Sequence, residues 1–180
     1  MALRLGGMGV PRNCDKMGSQ DQILKGLQAW AGQFYGADAT VERLVRLSGG
    51  ASQETWSLDV EQGGKVVDLI LRRVPGGVSV ARNSEAIGLG TEAKLLSCAE
   101  GEVPAPKVVQ VFEPDSDIGE AFLMNRIPGQ TIARKILRDD IYSAARGRLT
   151  EQCGQALAAI HQIPPEALPD LPKSGGLDQL

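Results

Sequence analysis

Residues 41 to 73 constrain this chain more than any other stretch. Three runs rich in β-branched and aliphatic residues, "VERLVRL" (41–47), "ETWSLDV" (54–60) and "KVVDLILRR" (65–73), are separated by glycine-containing turns. Runs of this length and composition read as strands, and the order strand, turn, strand, turn, strand reads as an antiparallel meander. The second turn, "EQGGK", carries Gly63 and Gly64, a pair that tolerates the positive φ angles of a tight hairpin. The first turn, around Gly49 and Gly50, is longer. Its glycines suit either a plain hairpin or the close approach of backbone amides to a phosphate.

The flanking segments complete an α+β pattern. Ahead of the meander, "SQDQILKGLQAWAGQF" places Ile23, Leu27, Trp30 and Phe34 at near-helical spacing, with Ser19 as the cap and Asp21 in the first turn. After it, "PGGVSVARNS" breaks the pattern, and from about Ser84 a helical one resumes that Gly88 and Gly90 should shorten or fray at its start. "VPAP" (103–106) imposes extended geometry, and "KVVQVFE" and "EAFLMNRI" read as two further strands, bringing the antiparallel sheet to five. Beyond Pro128 and Gly129 come a short amphipathic piece, "TIARKILRDD", and a longer helix from Ser143 to about Gln162 that should bury Leu149, Cys153, Leu157 and Ile160. A helix inserted in an antiparallel sheet excludes a regular βαβ dinucleotide fold, and neither common phosphate-binding glycine fingerprint occurs.

Composition narrows the function classes. The 180 residues, 42% hydrophobic, suffice for about one domain with a core. A net charge of −3 supports neither a nucleic-acid partner nor an anionic membrane surface. Three scattered cysteines (Cys14, Cys98, Cys153) and the single histidine His161 leave no raw material for a disulfide framework or a His/Cys zinc site, so a reducing, cytoplasmic setting and no metal are expected. No window resembles a membrane span, and residues 1–18 lack the apolar core of a signal peptide. Residues 1–18 read as a disordered leader, with Arg4, Arg12 and Lys16 leaving a transit peptide open.

In this order and spacing, five segments resemble the aminoglycoside phosphotransferase and choline kinase family, relatives of the protein kinases. "LSGGASQETWSL" resembles the phosphate-covering loop, "VDLILRR" the third strand, and "TEAKLLSCAEGEVPAPKVV" the helix with the run that follows it. "AFLMNRIPGQTI" resembles the hinge between lobes, and "LTEQCGQALAAIHQIP" the first large helix of the C-lobe. The resemblance implies a protein-kinase-like N-lobe over residues 19–127, binding a nucleotide, and the start of a helical C-lobe over 128–180.

It also implies roles. Phosphoryl transfer asks a protein to position a nucleotide and neutralise its phosphates, using a glycine loop, a strand cation and a helix carboxylate that holds the cation. Gly49 and Gly50, with the hydroxyls of Ser48 and Ser52, would cradle ATP phosphates. Arg72 would be the cation, with Arg73 sent to the opposite face as a solvated charge. Glu92 would hold Arg72, with Glu85 the alternative. Met124 would guard the back of the base pocket, the backbone of Asn125 and Ile127 would meet the base edge, and Leu47, Trp56, Leu69 and Leu71 would sandwich the ring or simply pack the core. His161 reads as a structural residue at a helix end.

The family's H-G-D-x-x-x-x-N loop and its later magnesium aspartate do not occur in these residues. The chain therefore reads as part of a longer ATP-dependent phosphotransferase with a hydroxyl-bearing acceptor, magnesium being expected only with the remaining C-lobe, and as inactive alone, with Leu149, Leu157 and Ile160 lacking part of their normal cover. The alternative is a noncatalytic nucleotide-binding or protein-interaction module.

Overall fold

The computed structural model describes residues 14–48, 53–77 and 87–167. Within them, helix α1 (Cys14–Phe34) precedes strands β1 (Thr40–Arg46), β2 (Glu54–Gln62) and β3 (Lys65–Arg73); α2 (Leu89–Ala99) is inserted before β4 (Val108–Phe112) and β5 (Ala121–Asn125); α3 (Ala133–Arg138) and α4 (Ser143–Ile160) follow. The strands form one antiparallel sheet in the order β1-β2-β3-β5-β4, so β5 lies between β3 and β4. This is the α+β architecture expected, a five-stranded antiparallel sheet with one inserted helix. Gly63 and Gly64, at φ 56° and 78°, make the tight turn between β2 and β3.

Strand alternation sorts the side chains onto two faces. Toward α1 point Trp56, Leu58 and Val60 of β2, Leu69 and Leu71 of β3, and Leu123 of β5, which pack with Ile23, Leu27 and Trp30 into the larger core. Fully burying a Leu or Ile contributes about 1.5–3 kcal/mol each, and Ile23 and Leu27 are both sealed from solvent. Gln28 fixes the register of helix on sheet: its Nε2 donates to the Ala39 carbonyl at 2.7 Å, and its Oε1 accepts from the Val41 amide at 2.9 Å. The Trp30 ring stacks on Phe34 and meets Tyr35 and Phe112 edge-on.

Two expectations about α1 need correction. The helix begins at Cys14, ahead of Ser19, so Ser19 lies inside it and does not cap it. Phe34, expected on the buried stripe, is exposed at the helix end although it stacks on Trp30.

The second, smaller core lies on the other sheet face, where Leu89 and Ala93 of α2 pack with Val74 and Phe122, flanked by Leu96, Val108 and Met124. Gly88 is extended (φ −73°, ψ 165°) and the helix starts at Leu89, the late start expected from its two glycines. Glu85 lies outside the described residues.

Arg146 ties the last helices together, donating from Nη1 to the carbonyls of Ile136 and Asp139 at 2.9 and 2.8 Å and satisfying groups that the end of α3 leaves open. Along α4, Leu149, Leu157 and Ile160 are 44%, 53% and 47% exposed, the missing cover expected of an incomplete C-lobe, and Cys153, expected on the buried side, is exposed as well. The apolar stripe is there, but no described element lies over it. Among the described residues no helix is long and apolar enough to cross a membrane.

Candidate functional site

The face that carries α2 also carries the polar residues of β2 and β3. Alternation along β3 sends Leu69, Leu71 and Arg73 toward α1, and Asp68, Ile70 and Arg72 away from it. Arg72 stands between Thr55 of β2 and Phe122 of β5. Its Nη2 lies 3.2 Å from Glu92 Oε2, both side chains being about a quarter to a third exposed. Glu92 is placed by its helix: it sits in the first turn of α2, with its amide donating to the Gly88 carbonyl at 3.0 Å, where the positive end of the helix dipole favours a carboxylate. Burial of Leu89 and Ala93 on either side fixes that turn against the sheet.

Arg72 keeps unspent donors. Its Nε is buried and has no hydrogen-bond partner among the described residues, and a guanidinium offers five N–H groups in a planar fork suited to paired oxygens. The β1-β2 ladder ends close by, with the Leu47 amide donating to the carbonyl of Thr55, the residue opposite Arg72. Ser48, next along the chain, is exposed at this end of the sheet. Gly49, Gly50 and Ser52 lie outside the described residues.

At the far end of the same face, Met124 is half-buried opposite Ile70, with Asn125 and Ile127 exposed beyond it. The Asn125 amide donates to the Lys107 carbonyl at 3.0 Å, and its side-chain oxygen accepts from the Lys107 amide, which binds the exit of β5 to the start of β4. The Ile127 amide makes no hydrogen bond among the described residues.

Two assignments change, those of the apolar strand residues and of Arg73, while His161 stays at its helix end. Trp56, Leu69 and Leu71 belong to the α1 core and do not face the Arg72 side, so they cannot sandwich a base there; Leu47 is exposed at the sheet edge. Arg73 is not solvated: it is buried, with Nη1 2.9 Å from Glu54 Oε2 and Nε donating to the Ile118 carbonyl at 2.5 Å. His161 is exposed, its amide capping α4 through the Leu157 carbonyl at 3.0 Å.

The expectations passed over Arg126, which follows β5 and reaches Ser57, Asp59 and Asp68 on the Arg72 face. Ser57 and Asp59, two residues apart on β2, and Asp68 on β3 were the available signal, since all fall on the face that alternation leaves polar. Among the described residues no group of three or more His, Cys, Asp or Glu side chains is placed to hold a metal ion.

The arrangement is that of a cation steadied by a helix carboxylate at one end of a sheet face, with the chain leaving the sheet at the other. Comparison with known proteins bears on what it serves. No curated protein matches the chain. The model of the phosphotransferase enzyme family matches residues 43–174, from β1 through α4 and so across most of the chain. With the sheet, the inserted helix and the matched span in agreement, the chain belongs to the phosphotransferase enzyme family.

Proposed function

We propose that this chain forms the nucleotide-binding lobe of an ATP-dependent phosphotransferase that acts on a hydroxyl-bearing small molecule. The observation that carries the reading is the 3.2 Å pair between Arg72 and Glu92. Glu92 holds the guanidinium in place while leaving donors unspent, which is what a site needs if it is to neutralise phosphate oxygens without reorganising. Ser48, Gly49, Gly50 and Ser52 would cover the phosphates from the loop between β1 and β2. Met124 and the backbone of Asn125 and Ile127 would border the base.

The family's base and magnesium aspartate have no counterpart in the 180 residues, and the described carboxylates do not cluster as metal ligands. On this reading the chain binds and orients the donor, and proton removal from the acceptor hydroxyl falls to groups outside it. The chain alone would then bind ATP without turning it over.

Calorimetry with ATP tests the reading. Replacing Arg72 by Ala removes charge-assisted hydrogen bonds to phosphate, and ATP affinity should fall by about ten- to a hundredfold. Equal affinity in both proteins, or no binding to the unaltered chain, would overturn it.

A further inference from the structure

Arg126 makes four polar contacts on the sheet face that carries Arg72. Its amide donates to the Asp68 carbonyl at 3.0 Å, and its Nη2 lies 2.7 Å from Asp68 Oδ1. Its Nη1 donates to Ser57 Oγ at 2.8 Å and lies 3.2 Å from Asp59 Oδ1. Groups from β2 and β3 thus converge on a guanidinium carried by the chain leaving β5. Arg126 and Asp68 are 31% and 50% exposed, and ion pairs that open to water add little to stability. Stapling the sheet is a poor reason for so many contacts.

Position supplies a better one. Asp68, Ile70 and Arg72 follow one another on this face of β3, and Phe122 and Met124 on β5 lead to Arg126, with Ile70 opposite Met124. Arg72 and the Arg126 cluster at Asp68 therefore mark the ends of a strip about 13 Å long at ~3.3 Å per residue. Half-buried Ile70 and Met124 form its apolar middle. An extended nucleoside triphosphate has the same order of parts, with anionic phosphates at one end and a flat, weakly polar base at the other.

The donors of a guanidinium lie in its plane, so contacts to Ser57, Asp59 and Asp68 occupy its edge and leave its faces for a flat ligand. We infer that Arg126 is a base-positioning residue, whose guanidinium, held at its edge by these three side chains, stacks on the purine of the bound nucleotide. The inference rests on the nucleotide-lobe reading above. It adds a specific recognition element, because stacking by Arg126 rewards the base and not the phosphates.

Binding of ATP and of inorganic tripolyphosphate should be measured on the unaltered chain, R72A and R126K. Lysine keeps the charge of Arg126 and removes its plane. R126K should weaken ATP by about five- to tenfold, the scale of a stacked cation, and change tripolyphosphate by less than about twofold. R72A should weaken both ligands. If R126K moves both ligands equally, or neither, while R72A weakens both, the stacking role is wrong and the nucleotide reading survives. If the unaltered chain binds neither ligand, or R72A changes nothing, the nucleotide reading fails and the inference falls with it. Should R126K not fold, S57A removes one edge contact and should lower ATP affinity alone by about two- to threefold; equal affinity would count against stacking.

Discussion

Arg72 and Arg73 are neighbours with opposite surroundings, and one peptide unit makes the difference. The pleat turns Arg72 to the half-open α2 face, where Glu92 meets it, and Arg73 to the α1 face, where Glu54 and the Ile118 carbonyl enclose it. A buried charge keeps its partner or costs heavily. R73A would leave Glu54 buried with, among the described residues, Arg46, 3.5 Å away and half-exposed, as its remaining counter-ion. We expect a loss of roughly 3 kcal/mol in urea denaturation, the lower end for a broken buried pair because Arg46 remains. The E54A/R73A double variant should lose less than the sum of the single ones; strict additivity would mean that the pair is not coupled.

At the scale of elements, glycines of one residue type are used in opposite ways. Gly119 lies in the turn entering β5, at φ 80°, and a Cβ there would sit 2.6 Å from Gly77 Cα. The turn must press on the chain leaving β3, because the Glu120 amide donates to the Gly77 carbonyl and the Val74 amide to the Glu120 carbonyl, both at 3.0 Å. G119A should therefore destabilise by about 2 kcal/mol or more, since both the dihedral and the backbone contact are violated. Gly154, inside α4, has open space around its missing side chain. G154A should stabilise by about 0.5–1 kcal/mol through helix propensity alone. Thermal unfolding of the two variants should shift in opposite directions, and a shared sign would show that one of these environments has been misjudged.

For the whole molecule, packing is uneven. The sheet is sealed by α1 on one face and partly by α2 on the other, while α3, α4 and the short turn between them present Leu137, Ile141, Leu149 and Leu157 to solvent, Ile141 at 83%. Exposed apolar side chains favour dye binding and self-association. The L137S/I141S double variant should change stability by no more than about 0.5 kcal/mol per site while reducing hydrophobic-dye binding and self-association; a large loss of stability would mean that these residues are packed. Local patterns were enough for much of the fold. Period-two runs around "EQGGK" specify the meander, the spacing of Ile23, Leu27 and Trp30 specifies the buried side of α1, and paired glycines delay the start of α2, because dihedral preference and amphipathic period act over a few residues. The resemblance to the phosphotransferase family named Arg72 and Glu92 as candidates, and strand alternation separated Arg72 from Arg73. Other features depend on which surfaces meet. That β5 lies inside β4, that Trp56, Leu69 and Leu71 go to α1, that Arg73 is enclosed, and that Arg126 reaches Ser57, Asp59 and Asp68 all require contacts between residues far apart in the chain. Periodicity tells an apolar side from a polar one but not what covers it, and burial is decided only when a second surface arrives.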